Sequence, residues 1–203
     1  MDKARTQLLL VIGGQRTGTS LLASMLGGHS EVNMLMESET KDVLKLTGKR
    51  YQGNKLIAHR QIRFTDRASR WGFFMNRLVN FHLFGRKFQH VRPFPTSRMS
   101  IADYKRFDAE IVVIRRNDED TLKSILKRTV MSKAKAEREL VKTNAMLDEL
   151  VKQGALEISY EELVEKPEES LTRLCKQLGL DFEPKMLNAT KYNLIYPREK
   201  VEA

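Results

Sequence analysis

Gln7-Leu-Leu-Leu-Val-Ile-Gly-Gly-Gln-Arg-Thr-Gly-Thr-Ser20 is the stretch from which the rest of the chain is read. Residues 7–12 are a continuous apolar run of strand length, the pattern of a strand buried on both faces of a parallel sheet. Gly13 and Gly14 end it. Thr19 to Gly27 then predicts a helix, with Leu21, Leu22, Met25 and Leu26 on one face and Gly27-Gly28 as its stop. A glycine-rich turn between a buried strand and a helix can cradle an anion. The glycines allow a tight turn with exposed backbone N–H groups, and the helix N-terminus adds donors and a partial positive charge. The spacing is that of a Walker A loop, G-x-x-x-x-G-K-[ST], but Thr19 stands where the Lys belongs, and the positive charge is on Arg16. A plain strand-to-helix turn would account for the glycines but not for the Arg and hydroxyls beside them.

Working outward, Glu110–Ile114 is the next clear buried strand. It runs into Arg115-Arg116, on a neighbouring strand where an ATP or GTP enzyme would want an acidic residue for Mg²⁺. The site therefore reads as one for an anion, without a required metal. Asn117 or Asp118 can cap a helix to about Arg128, with Leu122, Ile125 and Leu126 inward. Residues 133–153 predict a charged amphipathic helix closed by Gly154. Leu156–Ser159 is a third strand. Pro167 suits a first helical position, and Leu171, Leu174, Cys175 and Leu178 follow at helical spacing before Gly179. Lys55–His59 reads as a further short strand. Residues 29–54 resist division, and the tail from Asp181 has no clear period. Strand and helix in alternation predict a three-layer α/β/α fold with a central parallel sheet and right-handed crossovers, in one domain over residues 1–203.

Composition is that of an ordinary globular domain, 41% hydrophobic and 31% charged. Thirty-six Lys and Arg against 26 Asp and Glu leave a formal charge of +10, which favours anionic partners without choosing among them. Cys175 is the only cysteine, so an internal disulfide or a CxxC site is excluded. No apolar run approaches the ~20 residues that span a bilayer. Leu8–Ile12 is too short for a signal-peptide core. A cytoplasmic, reducing location is the default expectation. Residues 60–107 interleave Arg, His and Phe, with a helix predicted over about 66–83.

Arg116 and Ser124 lie eight positions apart, one at a strand end and one on the following helix. Together with the loop, this pair resembles the sulfotransferase superfamily that uses 3′-phosphoadenosine 5′-phosphosulfate (PAPS). In that family an R-S/T-G-T-S/T loop binds the 5′-phosphosulfate and an Arg…Ser pair binds the 3′-phosphate. The matching residues are Arg16-Thr-Gly-Thr-Ser20 and Arg116…Ser124. A third block, Ser159-Tyr-Glu-Glu-Leu-Val-Glu-Lys-Pro167 followed by Leu171-Thr-Arg-Leu-Cys-Lys-Gln-Leu-Gly-Leu180, is similar to the family's Y-E-D-L…P segment and its helix ending in L-G-L. The resemblance implies a P-loop-like sulfotransferase fold. Its cofactor site would comprise Gly14, Gln15, Arg16, Thr17, Gly18, Thr19, Ser20, Arg116 and Ser124, with Tyr160 near the adenine. It further implies PAPS as donor, 3′-phosphoadenosine 5′-phosphate (PAP) as product, and a hydroxyl or amine acceptor on a carbohydrate, lipid, peptide or small molecule. Two departures stand out. Asp118 occupies a place where the family often has Pro, and the chain is short, so the acceptor pocket would be reduced or open.

Sulfuryl transfer needs a positioned, deprotonated acceptor and stabilisation of charge on the sulfuryl oxygens and the leaving phosphate. Arg16 is the candidate for the charge. For the base, residues 29–39 resemble the tyrosylprotein sulfotransferase subgroup, whose catalytic glutamate lies twenty-one residues after the loop Arg; that count lands on Glu37. Glu39 and His59 are the alternatives, and a solvated loop carboxylate is the plain reading of Glu37. Lys55, after Asn54, matches a catalytic Asn-Lys pair of that subgroup, although its spacing to Arg116 differs. His29 reads as a capping or packing residue, and Lys191 could reach the 3′-phosphate from the tail. Three rival readings stay open: a kinase-like P-loop enzyme, a basic nucleic-acid-binding module, and a sulfotransferase fold that binds nucleotide without catalysis. Phe74, Leu78, Phe81 and Leu83 fit a packed helix face better than a base-stacking platform, so nucleic acid is not the expected partner.

Overall fold

A computed structural model describes residues 7–38, 40–58 and 108–190, with the side chains of Thr40, Lys41 and Thr190 left out. Five strands, β1 (Gln7–Gly13), β2 (Val32–Met36), β3 (Tyr51–Ile57), β4 (Glu110–Arg115) and β5 (Leu156–Ser159), form one sheet in the order β2-β3-β1-β4-β5. All four pairings are parallel. β1 is central, and its Leu9, Leu10, Val11 and Ile12 are fully buried, as a run apolar on both faces requires.

Side chains alternate across the sheet and define two cores. Leu9 and Val11 join Leu22, Met25 and Leu26 of α1 (Thr19–Gly27) and Leu171, Leu174 and Cys175 of α6 (Pro167–Gln177). Leu8, Leu10 and Ile12 face the other way, against Met146, Leu147 and Leu150 of α4 (Lys133–Lys152). The result is the expected three-layer α/β/α arrangement. The other helices among the described residues are α2 (Thr40–Val43), α3 (Asp118–Arg128) and α5 (Tyr160–Glu165).

Local signals act as the sequence implies. Asn117 caps α3, its side chain accepting from the Glu119 and Asp120 amides. Pro167 begins α6. Gly154 takes φ 96° just after α4, a conformation that favours glycine. His29 packs as expected. The Glu31 amide donates to its Nδ1 at 3.0 Å, which leaves Nε2 to donate to the Asp181 carbonyl at 2.8 Å. That bond helps hold the 3₁₀ segment Pro184–Thr190 beneath α1.

Two boundaries differ from the sequence reading. The strand expected at 55–59 begins at Tyr51 and ends at Ile57, because Gln52, Asn54 and Lys55 are buried polar residues that interrupt the apolar pattern. β2 emerges from the undivided segment; as an edge strand it is only partly buried and carries a weak pattern. The helix predicted over 66–83, together with Glu39, His59 and Lys191, lies outside the described residues. Among the described residues no helix is long and apolar enough to cross a membrane.

Candidate active site

At two positions of the loop after β1 only glycine fits. A Cβ on Gly13 would lie 2.7 Å from the Ile114 carbonyl, and from Thr17 and Thr19. Gly18 has φ 93°, and a Cβ there would overlap the Tyr160 ring. Thr17 Oγ1 donates to the Gly14 carbonyl at 2.9 Å, closing the turn, while Ser20 is exposed at the start of α1. Gly18 gives α1 no side-chain cap, which leaves its first-turn amides to the loop mouth. Gln15 Oε1 is buried without a hydrogen-bond partner.

Parallel topology brings the ends of β4 and β5 to this same edge. Arg16 Nε donates to Ser124 Oγ of α3 at 3.1 Å. Arg116 donates to the Arg16 carbonyl at 3.4 Å, and its guanidinium lies 4.7 Å from the centre of the Tyr160 ring. Arg116 Nε is buried with no acceptor, a costly arrangement for a charged donor unless an anion meets it. The loop, Arg116, Ser124 and Tyr160 thus form one cluster. Tyr160 is wedged between Gly18 and Arg116, so its ring supports the arginine whatever else it touches.

Glu37 and Lys55 also meet. Lys55 Nζ is 2.5 Å from Glu37 Oε1, with Lys55 only 5% exposed. β2 ends beside β3 with Met36 opposite Lys55, and the Glu37 amide donates to the Lys55 carbonyl at 2.8 Å. Asn54, fully buried, fixes the next residue. Its carboxamide accepts from the Ser38 amide at 3.2 Å and donates to the Ser38 carbonyl at 2.9 Å. Among the described residues, three non-glycine residues take positive φ, and two of them are Arg16 at 73° and Glu37 at 54°. Such backbone costs ~1–3 kcal/mol per residue and persists where surrounding contacts over-determine it, commonly at functional sites.

The sequence reading passed over two supporting residues. Asn54 enters the sequence analysis only as the partner of Lys55 in an Asn-Lys pair, and its hold on Ser38 gives no signal in the sequence. Glu161 lies within the Tyr-Glu-Glu segment without a role. Its Oε1 accepts from the Asn117 amide and its Oε2 from Ser159 Oγ, both at 2.9 Å.

A glycine-rich loop on the central strand of a parallel sheet, met by an arginine and a serine from the neighbouring strand and the helix after it, defines an α/β protein of the P-loop type. The sequence model described as "Sulfotransferase family" matches residues 9–184, and the chain belongs to that family. No curated protein sequence matches the chain. The fold is similar to that of the sulfotransferase domain from the curacin biosynthetic pathway, with TM-score 0.54, 15% identity, and coverage of 91% of this chain and 77% of that one. It is similar to mouse sulfotransferase SULT7A1 complexed with PAP, with TM-score 0.55, 15% identity and 94% of this chain covered. The alignment spans 64% of the length of that mouse protein. The sulfotransferase domain of the Synechococcus PCC 7002 olefin synthase is a third, with TM-score 0.53, 16% identity, and 93% and 79% covered.

Proposed function

We propose that this sulfotransferase-family chain moves a sulfuryl group from PAPS to a hydroxyl or amine of its acceptor. The observation that carries this is the convergence of Arg116 and Ser124, remote in sequence, on Arg16 of the loop. An enzyme using ATP or ADP has no need of a second anion site beside its phosphate loop; a nucleotide with a 3′-phosphate does. The buried Nε–H of Arg116 fits that need, and a protein of similar fold was solved with PAP bound.

In this reading the residues 14–20 hold the 5′-phosphosulfate, and Arg116 with Ser124 holds the 3′-phosphate. PAPS supplies the sulfuryl group and departs as PAP. The bond from sulfur to the phosphate oxygen breaks as the bond to the acceptor oxygen forms. Glu37 takes the acceptor proton. Arg16 meets the charge that develops on the sulfuryl and leaving oxygens. Lys55 is bound to Glu37 and orients it; its catalytic part is exercised through that carboxylate. The reading extends to one domain over residues 1–203 and a reducing, cytoplasmic setting, the latter motivated by Cys175 as a buried free thiol.

Calorimetry with PAP and ADP tests the proposal without an acceptor. A charge-assisted hydrogen bond is worth ~1.5–3 kcal/mol, so PAP should bind at least about tenfold more tightly. Equal affinities would remove the second anion site and with it the PAPS reading.

A further inference from the structure

The residues after β5 grip the end of β4 at two points. The Tyr160 ring lies under the Arg116 guanidinium at 4.7 Å. The Glu161 carboxylate holds the backbone one residue further on, where Oε1 accepts from the Asn117 amide at 2.9 Å. Its other oxygen is fixed by Ser159 Oγ at 2.9 Å. Asn117 is itself the cap of α3, the helix that carries Ser124. One carboxylate therefore fixes both the peptide that follows Arg116 and the origin of the Ser124 helix.

We infer that Glu161 is a positioning residue for Arg116 and Ser124, and that through them it sets the preference of the site for a nucleotide bearing a 3′-phosphate. The inference rests on the proposed PAPS reading of that pair. The environment of the carboxylate agrees. Burial opposes its ionisation, yet the Asn117 amide, its own amide, the Ser159 hydroxyl and the Arg116 charge together hold it below the usual carboxylate range. The group is thus an anion at neutral pH, with two opposing effects on a bound phosphate. Its hydrogen bond holds the cationic site in shape, and its negative charge repels the ligand. The geometric effect dominates only if removing the bond weakens binding while removing the charge alone does not.

Two substitutions separate them. Glu161→Gln keeps an oxygen for the Asn117 amide and loses the charge; Glu161→Ala loses both. Calorimetry should give a PAP-over-ADP preference about 5–20-fold lower in Glu161→Ala, part of the worth of one charge-assisted bond, passed on through backbone position. In Glu161→Gln the preference should equal or exceed that of the unmodified protein. ADP affinity should stay within about twofold in both, since ADP does not engage the pair. In an Arg116→Ala/Ser124→Ala background, Glu161→Ala should have no further effect on the ratio. Glu161→Met, which keeps the bulk without an acceptor, replaces the alanine variant if that fails to fold. An unchanged preference in the Ala or Met variant overturns the inference. So does equal loss in the Ala and Gln variants, or loss of PAP and ADP affinity together, which marks a brace of the fold alone. Equal affinities in the unmodified protein sink the PAPS reading first, and the inference with it.

Discussion

Arg16 Nε donates to Ser124 Oγ at 3.1 Å, so the only arginine of the glycine-rich loop is held by the helix that follows β4. Arg16 does this from a left-handed backbone, φ 73°, which points its carbonyl at Arg116 and its side chain at Ser124. The loop, Arg116 and Ser124 are one mechanical unit.

Arg16→Ala should lower turnover by ~10²–10³-fold, the range for losing one preorganised donor to transition-state charge. PAP affinity should change by no more than severalfold, because the loop amides and Arg116 remain. Single-turnover rates with labelled PAPS, set beside calorimetric PAP binding, check this. Loss of binding with unchanged turnover would make Arg16 an anchor only.

Glu37→Gln keeps size and hydrogen bonding but removes basicity, and should reduce turnover by ~10²–10⁴-fold with PAP binding intact. Glu39→Gln and His59→Asn are the matching controls. An inactive control beside an active Glu37→Gln would move the base elsewhere. A panel of sugars, phenols and peptides with labelled PAPS must first supply a working acceptor.

Gly18→Ala and Gly48→Ala both place a Cβ on a left-handed backbone, at φ 93° and 85°. Only at Gly18 does that carbon meet another group, the Tyr160 ring; at Gly48 nothing lies within 4 Å. Gly48→Ala should cost about 1 kcal/mol, and Gly18→Ala roughly 2–4 kcal/mol, as backbone strain and overpacking add. Gly18→Ala should also weaken PAP binding, since Tyr160 must move from under Arg116. Urea melts and calorimetry on the two variants would sink this account if their costs were equal.

The three blocks that carried the sequence reading, the loop, Arg116 with Ser124, and Tyr160 with its neighbours, lie together because a parallel sheet delivers every strand's C-terminal end to one edge. Strands β1 and β4 were legible because their residues are apolar in unbroken runs, and β5 by the alternation of Leu156 and Ile158 with polar residues after Gly154. β3 was legible only in part. Its Gln52, Asn54 and Lys55 are buried through specific partners, and a partner such as Ser38 or Glu37 cannot be seen from strand periodicity. Glu161 was present in the quoted motif but silent for the same reason, as its meaning lies in the Asn117 amide. The pairing of Glu37 with Lys55 follows from β2 lying beside β3, and β2 is the strand that the sequence did not reveal.

Cys175 offers a pH-dependent prediction. Burial, with the nearby Glu183 and Asp181 charges, pushes its thiol up to about 11. An unfolded cysteine ionises near ~8.5, so above that pH the unfolded state binds fewer protons and stability falls as pH rises toward the folded value. Urea melts of the unmodified protein and Cys175→Ala should diverge between about pH 8 and pH 11, with the cysteine form losing stability faster. At pH 8 a thiol reagent should label the folded chain only as fast as it opens. Rapid labelling of the native protein would contradict the burial on which this rests.

Leu9 sits between Gly53 on one side and Glu110 on the other, so the central strand is completed by partners from two remote parts of the chain. Non-local pairing of this kind folds slowly, because loop closure precedes its reward. A nascent chain that has made the glycine loop therefore lacks a competent receptor until β4 and then β5 have docked. Donor nucleotide would bind only the finished sheet, and by mass action ligand at a hundred times its dissociation constant would add ~2.7 kcal/mol to it. On the proposed PAPS reading, the supply of activated sulfate would then govern how much newly made protein escapes proteolysis.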